Sequence, residues 1–324
     1  MDLKEICLPI RSDVEALESF MQKQLESPVP FVQTVAHYVV ANGGKRIRPI
    51  LTFLFSKLAG YRGLSGISLG ASIEFLHTAS LLHDDVIDDA PLRRGRATTN
   101  KKWGNHVSVL VGDFFYCRAM DLLVKHGDLK VLRVVTDAVT ITTEGEIFEI
   151  TKSHDPSLNQ EEYLRVIHGK TAALMGASCQ VGAVLGSLSS DLEQACANFG
   201  VSLGMAFQLM DDVLDYSSTK EEFGKVQGTD LKEGKMTLPL IIALRQCSEA
   251  EGQLIRNSLV TGEVDTSAFS QVLQIIEKYN GFKETAALAQ SYIAKARKEL
   301  EAFRPSLEKD TLLALADYVV YRRN

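Results

Sequence analysis

The chain has 324 residues, 45% of them hydrophobic, a formal net charge of −6 at pH 7 and a mean hydropathy of +0.00. That length supports a substantial core and the composition is that of an ordinary globular protein. The acidic balance gives no reason to expect nucleic-acid binding, and no apolar run approaches the ~20 residues of a membrane span. The start, Met1-Asp2-Leu3-Lys4-Glu5, lacks the basic residues and apolar stretch of a secretory signal. Cys7, Cys117, Cys179, Cys196 and Cys247 are scattered and odd in number, which fits reduced thiols and a cytoplasmic location.

Helical periodicity runs almost throughout. Apolar residues recur at helical spacing from Asp13 to Leu25, and Pro28 and Pro30 stop the run. A second run from Phe31 to Val40 ends at Asn42-Gly43-Gly44, a helix-stop signal. Pro49 fits the first turn of a helix that reaches Leu58. Ser68 to Asp88 reads as one long helix, with Pro91 and Gly95 marking a loop beyond it. Val107 to Lys125 and Leu129 to Thr151 follow, separated by His126-Gly127-Asp128. The β-branched stretch from Thr136 to Ile150 has strand propensity. However, Val131, Val135, Ala138 and Val139 form a helical stripe and no turn signals bracket a short strand, so helix is expected. Gln160 to Leu185 reads as a helix kinked near Gly169, Leu192 to Tyr216 as another, and shorter helices run from Leu238 to the end. With no linker or low-complexity tract, the expectation is one all-α domain over residues 1–324.

Two aspartate clusters dominate the chemistry: Asp84-Asp85-Val86-Ile87-Asp88 and Asp211-Asp212-Val213-Leu214-Asp215. On a helix, positions i and i+4 share a face, so Asp84 pairs with Asp88 and Asp211 with Asp215. Crowded carboxylates repel one another, and burial pushes them toward neutrality. A hard divalent cation relieves both, and Mg²⁺ is typically held by one or two carboxylates plus substrate phosphates. The expectation is a pocket in which two acidic ledges hold Mg²⁺ against a phosphorylated substrate.

Basic groups accompany the ledges. Arg93-Arg94-Gly95 follows the first cluster, and arginine offers a fork of donors matched to phosphate. Gly43-Gly44-Lys45-Arg46-Ile47-Arg48-Pro49 places glycines before a helix start, where backbone N–H groups favour an anion. Lys45 and Arg48 are expected on one face, with Ile47 and Ile50 inward. His77 lies seven residues before Asp84 on roughly the same face. Gly169 is unfavourable inside a helix by about 1 kcal/mol, and a kink presenting Lys170 and Thr171 would explain it. Gln208 sits one turn before Asp212. The stretch from Phe223 through Lys225 to Lys235 reads as a mobile loop of the kind that closes over substrates. The remaining histidines show no zinc spacing, and the aspartates lack the alternation and central glycine of an EF-hand loop.

Five motifs in order, GGKRIRP, HDDVIDD with RRG, GKT, FQLMDDVLD and GTDLKEGK, resemble the trans-prenyltransferases, or polyprenyl diphosphate synthases, across nearly the whole chain. The likeness is greatest to octaprenyl-type long-chain bacterial enzymes. It implies an all-α helical bundle of the isoprenoid synthase type with a central substrate cavity, a homodimer, and Mg²⁺-dependent condensation of isopentenyl diphosphate onto an allylic diphosphate such as farnesyl diphosphate. Carried onto this sequence, Asp84, Asp88 and Asp211 would ligate Mg²⁺, with Asp85, Asp212 and Asp215 in supporting positions, so that Asp84, Asp88, Asp211, Asp212 and Asp215 make up the metal site. Lys45, Arg48, His77 and Arg94 would hold isopentenyl diphosphate. Arg93, Lys170, Thr171, Gln208, Lys225 and Lys235 would hold the allylic substrate, and Arg322-Arg323 would assist phosphate binding. Lys170, Thr171, Gln208, Asp84 and Asp85 make up the expected catalytic group. Ala79 and Ser80, five and four residues before Asp84, lie about one 5.4 Å turn deeper and are small, whereas short-chain members of the family tend to place bulky aromatics there. A long product is therefore expected, with Leu76 and the Val134/Val135/Val139 stripe as candidate tunnel floor, and peripheral contact with a membrane through that greasy product. Alternatives are a shorter-chain geranylgeranyl or farnesyl synthase, the catalytic half of a two-component synthase, and a terpene cyclase. The cyclase is disfavoured by the second DDxxD and by the RRG and GGKR sites.

Overall fold

A computed structural model describes residues 2–217, 228–262 and 264–321. In chain order the helices are α1 (Leu3–Ile6), α2 (Arg11–Lys23), α3 (Pro30–Ala41), α4 (Ile47–Leu58), α5 (Ser65–Ile87), α6 (Thr99–Trp103), α7 (Asn105–His126) and α8 (Leu129–Lys152). They continue as α9 (Gln160–Ile167), α10 (Ala173–Leu185), α11 (Ser190–Ser217), α12 (Thr229–Lys232), α13 (Leu238–Leu244), α14 (Glu249–Thr261), α15 (Thr266–Lys278), α16 (Gly281–Glu299) and α17 (Leu307–Tyr321). The all-α expectation holds, and the β-branched α8 is helical: Val131 and Val135 are buried, so packing overrides propensity.

One departure is a two-stranded antiparallel hairpin, β1 (Leu92–Arg93) and β2 (Arg96–Ala97), where a plain loop was expected. Arg94 and Gly95 both take left-handed backbone, φ 52° and 75°, as the two central residues of a primed hairpin turn. A second is the segment His168–Ala172, which is a π-turn between α9 and α10 instead of a simple kink.

The chain divides into two compact units. The first comprises residues 1–139, 174–200 and 300–315. Its core packs Leu69, Ile73, Leu76 and Ala79 of α5 with Val111, Phe115 and Ala119 of α7, and with Val131 and Val135 of α8. The Phe75 and Phe115 rings lie 5.4 Å apart at its centre. The second comprises residues 140–173, 201–299 and 316–324. There Tyr216 is buried, stacks on Phe269 and shares a hydrogen bond with Thr237 at 3.0 Å.

Candidate functional site

In the first unit the two basic motifs meet. The Arg94 guanidinium, carried on the hairpin turn, donates to the Gly43 carbonyl just before α4. A Cβ placed on Gly44 would lie 3.0 Å from Arg94 Nη1 and 3.2 Å from Arg46 Nη1, so a side chain there would crowd both guanidinium groups. α4 starts without a side-chain cap, and its first amides face no carboxylate or hydroxyl of the preceding residue. Lys45 lies ahead of the helix and is exposed, so it does not share a helical face with Arg48 as the spacing suggested. Ile47 and Ile50 do pack inward.

Arg48 is half-buried, and its Nε is buried with no hydrogen-bond partner. Lost hydration pulls the Arg48 guanidinium down to about 10, while Glu74 opposes the shift, and it stays a cation at neutral pH. His77 is held well below its usual range, first by desolvation and then by Arg48, Arg94, Arg93 and Arg46. It is therefore neutral at pH 7. A buried cationic nitrogen without a partner, uncapped helix amides and a histidine held neutral by burial and by four nearby arginines together make a pocket suited to a polyanion.

The first aspartate cluster closes α5. Asp84 is half-buried and Asp88, the C-cap residue, is exposed. Asp85 is buried: its Oδ1 accepts from Arg93 Nε at 2.8 Å and its carbonyl accepts from Asn100 at 2.9 Å. Arg93 thus ties the hairpin to the acidic helix.

In the second unit the π-turn is fixed by close backbone contact. A Cβ on Gly169 would approach Gly145 Cα of α8 to 2.8 Å, and one on Gly204 of α11 would approach Ala172 Cα to 2.5 Å. Lys170 then reaches two carboxylates of α8, Glu146 at 3.3 Å and Glu149. Thr171 donates to Gln208 Oε1 at 2.8 Å, and Gln208 Nε2 donates to Asp212 Oδ1 at 2.9 Å. The Tyr163 hydroxyl donates to the other Asp212 oxygen at 2.6 Å. Burial, then Asp230, pushes the Asp212 carboxyl well above its usual range, and the Tyr163 and Gln208 hydrogen bonds oppose that shift. Asp211 and Asp215 are half-buried on one face of α11.

The described part of the expected mobile loop is tied down. Gly228 and Gly234 take left-handed turns around α12, the Asp230 amide donates to Asp215 Oδ2 at 3.2 Å, and Lys235 Nζ pairs with Glu233 at 2.7 Å. Lys225, Arg322 and Arg323 lie outside the described residues.

Arg46, Glu146, Glu149, Tyr163 and Asp230 were not singled out from the sequence. For Asp230 and Arg46 a signal existed, since both sit within motifs already quoted. Glu146, Glu149 and Tyr163 carry no motif, and only the fold brings them to Lys170 and Asp212.

The polyprenyl synthetase family model matches residues 29–276. The octaprenyl diphosphate synthase of Escherichia coli (strain K12) is 38% identical over 322 residues, covering 99% of both chains. Among solved structures, a polyprenyl synthase from Caulobacter crescentus CB15, complexed with calcium and isoprenyl diphosphate, superposes with a TM-score of 0.95 at 35% identity over 100% of this chain and 98% of that one. A decaprenyl diphosphate synthase from Rhodobacter capsulatus gives 0.94 at 35% identity, with both chains fully covered. With two aspartate-bearing helices, a basic hairpin and a relative matched over 99% of its length, this chain belongs to the polyprenyl synthetase family.

Proposed function

We infer that this chain is a long-chain trans-polyprenyl diphosphate synthase. It joins isopentenyl diphosphate repeatedly to an allylic diphosphate, with farnesyl diphosphate as the proposed primer and an octaprenyl-like product. The observation that carries the reading is a pattern repeated in both clusters. The aspartates at the first and fifth positions of the motif are half-buried or exposed, while the one at the second position is buried and hydrogen-bonded to the protein.

The donors fit Mg²⁺. Among the described residues no three His, Cys, Asp or Glu side chains close around one point. Carboxylate pairs one helical turn apart would suit Mg²⁺, which takes one or two carboxylates together with substrate phosphates. Asp84, Asp88, Asp211 and Asp215 are the proposed ligands. Asp85 and Asp212 brace them, because both are buried, Asp85 on Arg93 and Asp212 on Tyr163 and Gln208, and with a hydrogen bond accepted on each oxygen Asp212 in particular suits bracing better than direct ligation. Bound Mg²⁺ supplies charge neutralisation for the departing diphosphate.

The protein's own groups do the rest. Arg93 and Lys170 are the cations proposed to stabilise the charge that develops on the leaving group, which is electrostatic stabilisation without a nucleophile. Lys170 is held between Glu146 and Glu149 and so has a fixed position. Thr171 and Gln208 orient the same turn, and Lys225 and Lys235 are proposed to close on the diphosphate. Lys45, Arg48, His77 and Arg94 hold isopentenyl diphosphate so that its double bond attacks the allylic cation. The departed diphosphate then takes the proton, and no side-chain base is needed.

Leu110, Cys117 and Val124 repeat every seventh residue on α7 and are all exposed. This apolar stripe supports a homodimer. No helix among the described residues is long and apolar enough to cross a membrane, and a cytoplasmic enzyme working against a bilayer surface is proposed from the product's greasiness. The test is transfer of label from isopentenyl diphosphate into material extractable by organic solvent. Incorporation that needs an allylic primer and is abolished by EDTA is expected, and incorporation unaffected by EDTA would contradict the reading.

A further inference from the structure

Arg46 departs from two local rules at once. It takes left-handed backbone, φ 49° and ψ 32°, without glycine's freedom to do so. It also places a cation at the positive end of a helix. Two carboxylates hold it there: Nη1 donates to Glu74 Oε1 at 2.9 Å and Nε to Glu18 Oε1 at 2.7 Å. The Arg46 and Glu74 side chains are each 6% exposed, and Glu18 is 41% exposed. A buried ion pair is a weak device for stability, because desolvation consumes most of its attraction. Its location is more telling. Glu74 lies one turn before His77 on α5, and the Arg46 and Arg94 guanidinium groups both crowd the point where a Cβ of Gly44 would lie.

We propose that the Arg46–Glu74 pair is a positioning clamp for the isopentenyl diphosphate site. It pins the left-handed turn between Lys45 and α4, and so sets the direction in which Lys45, the first amides of α4 and Arg48 present their donors. Arg46 does not touch the substrate: its guanidinium is already engaged by Glu74 and Glu18. Glu74 also acts on Arg48 and Arg94 through its field, which ties the clamp to both basic motifs. This inference rests on the assignment of that site made above.

The test uses the full chain carrying Arg46→Met with Glu74→Met. The double change removes one positive and one negative charge, so the net charge of the pocket is unchanged, and Glu18 is exposed enough to be solvated. Arg46→Lys is the second variant: it keeps the charge but loses the fork that spans two carboxylates. KM for isopentenyl diphosphate is expected to rise about tenfold in the double variant and by less in Arg46→Lys, with kcat and the KM for the allylic primer within about twofold of wild type. An unchanged KM for isopentenyl diphosphate, or equal rises for both substrates, overturns the proposal. If the double variant does not fold by circular dichroism, Arg46→Lys decides on the same criteria. Failure of the unmodified chain to elongate any primer would instead refute the synthase assignment itself.

Discussion

Tyr163 donates its hydroxyl hydrogen to Asp212 across 2.6 Å, and both groups are buried. Asp85 plays the matching part in the first cluster, where Arg93 is its donor. In each case the second aspartate fastens the acidic helix to a neighbour, and the outer pair are the proposed metal ligands. Tyr163→Phe deletes one hydroxyl and little else. A buried carboxylate that loses a donor costs about 1–3 kcal/mol, so the urea midpoint should fall. The half-saturating Mg²⁺ concentration for turnover should rise, because Asp211 and Asp215 lose their brace. A midpoint shift with unchanged Mg²⁺ dependence would restrict Tyr163 to stability.

The secondary structure was largely legible in the sequence because most of its helices carry a strong apolar stripe. Even α8 could be placed, by the spacing of Val131, Val135 and Ala138. The hairpin was not legible. Arg-Gly at the centre of a primed turn is an uncommon choice beside Asn-Gly, and two-residue strands have no periodicity to read. The site was half legible. DDxxD shows which carboxylates cluster, but the burial that separates Asp85 from Asp84 comes from Arg93 and Asn100, and Asp212's from Tyr163. The partners of Lys170 are 21 and 24 residues earlier, and a Gly145–Gly169 contact no pattern announces brings their helices together.

That contact makes a second prediction. Gly145→Ala and Gly169→Ala each force a methyl group against backbone at distances no real Cβ tolerates. Overpacking of this sort costs about 1–3 kcal/mol. Loss of activity should exceed loss of stability, since the displaced turn carries Lys170 and Thr171. Melting temperature and kcat measured together check this.

His77 should make stability pH-dependent. Its folded pKa is depressed below the ordinary 6.5. As pH falls through that value the unfolded chain takes up a proton that the folded chain refuses, so stability is fully present above about 6.5 and declines below it. His77→Gln should flatten that decline in chemical denaturation series run between pH 7 and 5. Isopentenyl diphosphate should reverse the sign locally: a bound dianion favours the imidazolium, so binding near pH 6 should take up protons, measurable by calorimetry in buffers of different ionisation enthalpy.

Product length is proposed to be set on α5. Ala79 is buried against the α5–α7 core, and Ser80 is half-buried with its hydroxyl on the His77 carbonyl at 2.9 Å. Ala79→Tyr or Ser80→Phe should shorten the product by several isoprene units while the first condensation persists, as sized by reversed-phase chromatography of the dephosphorylated alcohols. An unchanged length would remove these positions from the tunnel.

The most direct measurement is the size of what the unmodified protein makes. Purified chain, farnesyl diphosphate, labelled isopentenyl diphosphate and Mg²⁺ should give a ladder that terminates near the octaprenyl alcohol after phosphatase treatment. A product that stops at one added unit, or label that never leaves the starting diphosphate, would contradict a long-chain synthase built on two magnesium-binding aspartate ledges.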